Sequence, residues 1–290
     1  HLFKNHDIQA ISTKGILLGN ELYGNIHQRY AGDIDLIMKI DDLIIADTLM
    51  LEAGYKRYEF QGGTEKRKRV HLAISHQLAY IHPERQILVE LLRSVTSKFS
   101  HPEVLLPENL KTIQLGKETI KTLSAEMHFV QLCVHGAGHA WARLHWLMDI
   151  SCYMQREEID WQRIIQLSKE LKVLDLIVSS MDLTTKLLNV KSPIDLSGMR
   201  NAKQEKIIRH CVDAIQDLNH PPTGFKNFQR VIYTFGLPMK YDIKGMIKRS
   251  AYNMNDWELI HLPDSLFFLY FFLRPFLYIL RKLRIVRNSI

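Results

Sequence analysis

The chain has 290 residues, 38 of them Lys or Arg and 31 Asp or Glu, for a formal net charge of +7. That length is enough for two domains with real cores, and the mild basic excess suits an anionic ligand without demanding nucleic acid. Three widely spaced cysteines, Cys133, Cys152 and Cys211, form no CxxC pair. They exclude a disulfide framework and a zinc knuckle and point to a reducing, cytoplasmic compartment. The opening His-Leu-Phe-Lys-Asn-His lacks the apolar stretch of a secretory signal, and a start at His1 suggests a trimmed chain with residues before it.

Residues 8–13 predict a short strand leading to Lys14-Gly15. Apolar Ile16, Leu17, Leu18 and Leu22 then predict a helix from Gly15 to about Tyr23, stopped by Gly24-Asn25. A polar loop ends at Gly32, and residues 33–40 (Asp-Ile-Asp-Leu-Ile-Met-Lys-Ile) predict a strand. Side chains two apart on a strand share a face, so Asp33 and Asp35 stand side by side while Ile34 and Leu36 are expected to point into the core. Asp41-Asp42 reads as a cap before a helix over 43–53, closed by Gly54. Residues 62–69 (Gly-Gly-Thr-Glu-Lys-Arg-Lys-Arg) are expected to form a basic hairpin tip, either simply solvated or touching phosphate or an acidic partner. Residues 71–82 and 86–92 read as two strands joined by Pro83-Glu84-Arg85.

Glu90 interrupts the apolar run Ile-Leu-Val-Glu-Leu-Leu, and an acid in such a strand is rarely buried without a partner. If the strands are neighbours, Asp33, Asp35 and Glu90 converge. Like charges that close repel unless a cation or a proton lies between them. A hard divalent cation, Mg²⁺ above all and Mn²⁺ as its substitute, takes oxygen ligands and leaves room for substrate phosphates. The trio therefore predicts a site for one or two such ions. Taken singly, Asp33 would cap a turn and Glu90 would pair with Arg93 or Arg29.

Beyond residue 100 the chain changes character. Pro102, Pro107 and the polar run 107–118 read as a linker. Helical patterning follows from about Leu123 to Met154, broken near Gly136-Ala-Gly138, then in two segments over 158–190 and again over 202–218. His135 and His139 share a helix face. A zinc reading of the pair is the minor one: Gly136 stands where a zinc metalloprotease has its glutamate, so that chemistry is not expected. Two expectations remain for this helix: it packs across a cleft and offers His139 and Arg143 to a ligand, or it is an aromatic-histidine packing seam. Pro221-Pro222-Thr-Gly224 breaks the pattern, and 225–256 is mixed and aromatic.

The run 266–280 is the most apolar in the chain and is followed by Arg281, Lys282, Arg284 and Arg287. Its 15 residues carry Arg274-Pro275, so it is too short and too interrupted to span a bilayer. It is expected to bury itself against the bundle. The second reading is peripheral membrane contact through 266–287.

A glycine-led helix, then Asp33-Ile-Asp35-Leu, then a distant Val89-Glu90-Leu91 strand resembles the nucleotidyltransferase superfamily of the DNA polymerase β type. The closer resemblance is to a bacterial family of uncharacterised nucleotidyltransferases. It rests on Lys14-Gly15, Arg29 shortly before Gly32-Asp-Ile-Asp-Leu36, Gly54-Tyr55, Val89-Glu-Leu91 and the stretch His135-Gly-Ala-Gly-His-Ala-Trp-Ala-Arg-Leu-His-Trp-Leu-Met-Asp149, and covers roughly residues 10 to 190. Lys14-Gly15 stands where most of the superfamily has Gly-Gly or Gly-Ser, the interval from Gly15 to Asp33 is longer than usual, and Leu91-Leu92 replaces the His-Trp that many relatives carry after the third acid.

The resemblance implies an α+β chain: a minimal nucleotidyltransferase domain with a mixed sheet and flanking helices over 1–105, then a helical bundle over 106–290 completing the substrate cleft. It implies Asp33, Asp35 and Glu90 as catalytic metal ligands and Lys14, Gly15 and Arg29 as contacts for the triphosphate. Attack on the α-phosphate of a nucleoside triphosphate, ATP favoured, would release pyrophosphate and leave a nucleotidyl group on a hydroxyl of a small molecule, glycan precursor or protein. The alternative is a non-catalytic nucleotide- or partner-binding protein on the same scaffold. With no aromatic-basic array for a nucleic-acid strand, a polymerase or nuclease is not expected.

Overall fold

The computed structural model describes residues 1–58, 64–75, 77–94, 102–139, 141, 143–200, 202–216 and 254–287. Strand β1 (Ile11–Thr13) runs into α1 (Gly15–Tyr23), and β2 (Asp33–Ile37) into α2 (Ile40–Glu52). The two-residue β3 (Lys56–Arg57), α3 (Glu65–Ser75), β4 (Gln77–Ile81) and β5 (Leu88–Leu92) follow, then the hairpin β6 (Leu110–Leu115) and β7 (Glu118–Leu123). The seven strands form one mixed sheet in the order β3-β4-β5-β2-β1-β7-β6. Strand β2 is antiparallel to β1 and parallel to β5, and β7 is parallel to β1.

Alternation along β2 sends its residues into two different cores. Ile37 joins Ile11 and Leu18 in a front core that continues through the helices α4 (Ala125–Gly138), α5 (Leu144–Met154), α6 (Trp161–Glu170), α7 (Leu174–Leu188) and α8 (Ala202–Gln216). Leu36 and Met38 join a back core with Leu43 and Met50 of α2, Leu72 of α3 and Tyr80 of β4. The back core is closed by α9 (Met254–Leu259) and α10 (Leu269–Arg287), which contribute Trp257, Tyr270 and Leu277. The fold is thus α+β, with the sheet between a helical bundle in front and α2, α3, α9 and α10 behind.

Four expectations change. The basic run is the first turns of α3, not a hairpin tip, and residues 71–75 continue that helix rather than a strand. No breaker stands between Thr64 and Ser75, Glu65 and Arg69 pair one turn apart, and the cations reach internal acceptors: Lys68 pairs with Asp47, Arg67 with Asp264 and Arg69 with Asp41. Residues 62 and 63 of that run lie outside the described residues. The polar stretch 107–118 is not a linker. Its alternation, Lys-Thr-Ile-Gln-Leu-Gly-Lys-Glu-Thr-Ile, pairs as the β6–β7 hairpin around Gly116 (φ +60°), so the sheet extends past residue 105 to Leu123. Ile34 is 41% exposed at the leading end of β2, while Leu36 does pack on the back core. The apolar C-terminal helix packs behind the sheet rather than on the bundle. The expected segment 225–256 falls almost wholly outside the described residues.

Behind the sheet, the fully buried Asp47 accepts two hydrogen bonds from Arg57 (both 2.7 Å) and one from Tyr80 Oη (2.9 Å), and pairs with Lys68. One carboxylate thus ties together α2, β3, α3 and β4. Burial alone would raise its pKa, but the three partners hold it below the usual carboxylate range. A depressed folded pKa adds stability above the unfolded pKa of about 4, lost as the pH falls through the folded value. Asp47→Asn is expected to cost about 3 kcal/mol in denaturant unfolding at neutral pH, because it leaves buried cations short of a counter-charge. The difference from wild type should narrow as the pH falls below about 4.

Candidate active site

Asp35 sits directly opposite Glu90 in the parallel β2–β5 ladder. Asp33, Asp35 and Ile37 share the front face of β2, and Glu90 and Leu92 the front face of β5, so all three acids face the side of α1 and the bundle. One carboxylate oxygen from each lies within 4.8 Å of the other two. Among the described residues this is the only group of three or more His, Cys, Asp or Glu so gathered. Asp35 is buried, and Asp33 and Glu90 are half-buried. Glu90 Oε1 accepts a hydrogen bond from Gln77 Nε2 on β4 (3.3 Å).

Burial pushes the Asp35 carboxyl above the usual carboxylate range. Lys14 pulls it back, and the neighbouring Asp33 pushes it up again. The Lys14 ammonium lies 3.6 Å from Asp35 Oδ2, so the site already draws in a cation. Three hard oxygen donors with no sulfur or nitrogen among them fit a divalent ion of the Mg²⁺ type.

Lys14 and Gly15 form the hinge between β1 and α1. Gly15 has φ +57°, and a Cβ there would come 3.5 Å from the Asp33 carbonyl oxygen, so the amino end of α1 opens beside the acids. Lys14 itself has φ +53° and ψ −146°, close to a region essentially reserved for glycine. Its ammonium also donates to His135 Nδ1 (3.3 Å) on α4. A lysine ammonium has no acceptor, so His135 accepts at Nδ1 and is held neutral, its pKa driven well down by burial and by Lys14. The bundle therefore touches the site directly.

Arg29 reaches the site by another route. Its Nε donates to Asp149 Oδ2 (3.0 Å), and Nη1 to the Gly15 carbonyl (3.4 Å). Asp149 also accepts from Tyr23 Oη (2.9 Å). The guanidinium is nearly buried and braces the Gly15 turn against α5. His139 and Arg143 are exposed and lie further out. His139 packs on His135 (4.8 Å between ring centroids) and Trp146 (5.3 Å), and Arg143 lies over Trp146 (5.7 Å). Through His135 and Lys14 they connect to the acids.

Sequence reasoning placed His135 and Asp149 in the neighbourhood without giving them roles. Asp149 carries the signal that revealed Glu90, an acid in an apolar run (Leu-Met-Asp-Ile), but on a helix. Gln77 and Tyr23 carry no such signal.

A family model described as "uncharacterised nucleotidyltransferase" matches residues 1–189, which include every residue of this site, and the chain belongs to that family. It is therefore a transferase of nucleotidyl groups. No curated protein and no solved structure matches the chain.

Because the folded pKa of Asp35 lies above its unfolded value, its ionisation costs stability as the pH rises through the folded pKa, and the metal-free protein carries that cost at neutral pH. Metal-free Asp35→Asn is expected to melt at or above the wild-type temperature. Millimolar Mg²⁺ should raise the wild-type melting temperature, by about 2.7 kcal/mol of stability at a hundred times Kd, and leave the variant unmoved. Differential scanning fluorimetry with and without Mg²⁺ and EDTA checks both.

Proposed function

We propose that the chain transfers a nucleoside monophosphate from a nucleoside triphosphate, ATP in the first instance, to a hydroxyl acceptor in a Mg²⁺-dependent reaction. The observation that supports this most is the Asp33–Asp35–Glu90 cluster, three mutually repelling carboxylates held together beside a helix amino terminus.

Asp33 and Asp35 would hold the ion that accompanies the triphosphate, and Glu90 would complete a second position toward the acceptor. When bound, Mg²⁺ neutralises charge on the phosphates and makes the acceptor hydroxyl easier to deprotonate. The free N–H groups at the start of α1 and its positive dipole end face the same space and suit phosphate oxygens. Lys14 adds a mobile positive charge there, since its partner Asp35 would pass to the metal. The acceptor oxygen attacks the α-phosphorus, the bond to the bridging oxygen of the β-phosphate breaks, pyrophosphate leaves, and the hydroxyl proton passes to a carboxylate or to water. Catalysis of this kind is mostly positioning and charge neutralisation. His139 and Arg143, which pack on Trp146, would meet the base or the acceptor.

The test is incubation with Mg²⁺ and each α-labelled nucleoside triphosphate, following pyrophosphate and label on protein or extracted small molecules. Asp33→Asn/Asp35→Asn is expected to lower transfer at least about a thousandfold. Metal-dependent nucleotide binding without pyrophosphate release, across acceptors of all three classes, would favour the non-catalytic scaffold instead.

Lys14→Gly separates the backbone from the side chain. Glycine adopts the residue 14 conformation freely, so the strain of about 1–3 kcal/mol is relieved and offsets the lost ion pair. The variant is expected to unfold within about 1 kcal/mol of wild type, while kcat/KM for the nucleotide falls about ten- to a hundredfold, a loss of roughly 1.4–2.7 kcal/mol. Urea unfolding and steady-state kinetics on the same preparation check this.

A further inference from the structure

Helix α10 has two apolar sides, and among the described residues only one is packed. Tyr270 and Leu277 are buried on the back core with Phe267 and Trp257. On the other side, Phe268, Phe271, Phe272, Phe276, Ile279 and Leu280 are between 48% and 66% exposed. Steps of three and four residues place them along one stripe. At roughly half of about 200 Å² each, they leave on the order of 600 Å² of apolar surface in water, at the upper end of what a soluble monomer shows and the mark of an interaction site.

The charge on this helix narrows the partner. Its 19 residues include Arg274, Arg281, Lys282, Arg284 and Arg287, and no acid. A second copy laid face to face would bring the four cations beyond Leu280 against their own copies, with no acid in either helix to pair them. An anionic lipid surface offers the complement on both counts, with acyl chains for the phenylalanines and headgroups for the cations. No helix among the described residues is long and apolar enough to cross a membrane, so α10 would lie on the surface rather than span it. We propose that the outer face of α10 docks this protein on anionic membranes.

The placement is compatible with catalysis. Helix α10 packs behind the sheet, and the three carboxylates face forward, so docking leaves the site open to the aqueous side. It also lies beyond residue 189, where the family match ends.

The experiment is co-sedimentation of the full chain with vesicles of phosphatidylcholine alone or mixed with phosphatidylglycerol. Binding to the mixed vesicles is expected to be at least about tenfold stronger and to weaken with salt. Phe272→Ser/Phe276→Ser, which leaves Tyr270 and Leu277 in place, should lose about tenfold of that binding while keeping the wild-type melting temperature. Phe276→Trp reads the contact on an otherwise intact helix, where brominated lipids should quench the added indole fluorescence. The proposal is overturned if the wild type ignores anionic vesicles, or if the double variant binds as well as wild type and the added indole is not quenched. It is equally overturned if the face instead drives concentration-dependent self-association, abolished by the double variant, without lipid binding.

Discussion

Like-charge repulsion among three carboxylates is the constraint around which the sheet is built. Two unit charges some 4–5 Å apart repel by roughly 3–4 kcal/mol at the effective dielectric of a partly exposed site, and here three such pairs coexist. Lys14 and Gln77 relieve only part of that repulsion, and the register imposes the arrangement. Pairing Asp35 with Glu90 follows from setting Ile37 beside Leu92 on the front core while Leu36 and Leu91 enter the back core. A slip of one residue would turn every side chain of β2 to the wrong face, sending Leu36 and Met38 toward the bundle. The hydrophobic cost of that slip opposes the electrostatic relief, and the apolar residues of β2 and β5 hold the three acids together.

The helical half shapes the site rather than merely flanking it. Helix α1, whose amino end opens beside the acids, is fixed to the bundle at both ends. Near its start, the Gly15 carbonyl is braced by Arg29, which is anchored on Asp149 of α5. Further along, Glu21 contacts Lys111 of β6 (2.8 Å), Tyr153 of α5 (2.9 Å) and His128 of α4 (3.5 Å). Burial would raise the Glu21 pKa, yet His128 and Lys111 hold it down to about 2. A carboxylate this well supported remains charged throughout the working range, and with it α1 keeps its angle to the sheet. The bundle also supplies His135, which orients Lys14 toward Asp35.

The acids were legible in the sequence because an Asp or Glu inside an apolar strand is an anomaly at a resolution of one residue. Asp33, Asp35 and Glu90 announce themselves even before their strands are known to be neighbours. The helices of the bundle were legible for the usual reason, sustained 3.6-residue periodicity, and α4 through α8 lie where that periodicity puts them. What stayed hidden depended on partners distant in sequence. The cations of α3 look solvated until Asp47, Asp41 and Asp264 are brought to them. The β6–β7 hairpin has a polar composition, and only its pairing to β1 shows that it extends the sheet. Arg29 reads as a partner for Glu90 or for phosphate, and it is Asp149, 120 residues on, that gives it a bracing role.

Lys14 shows how a local rule is broken at a functional position. Most of the superfamily resembled by this chain carries glycine there, and the backbone angles explain why: φ +53° with ψ −146° is territory that a side chain enters only under strain. A lysine at this position must therefore return more than it costs. Its ammonium does so in two directions, offsetting part of the charge on the buried Asp35 and engaging a histidine that burial keeps neutral. The same geometry makes the arrangement releasable. A divalent cation entering among the carboxylates would compete directly with Lys14 for Asp35, and the freed ammonium would remain next to the amino end of α1. The departure from the superfamily pattern thus changes how the charge of the site is balanced and leaves the three acids in place.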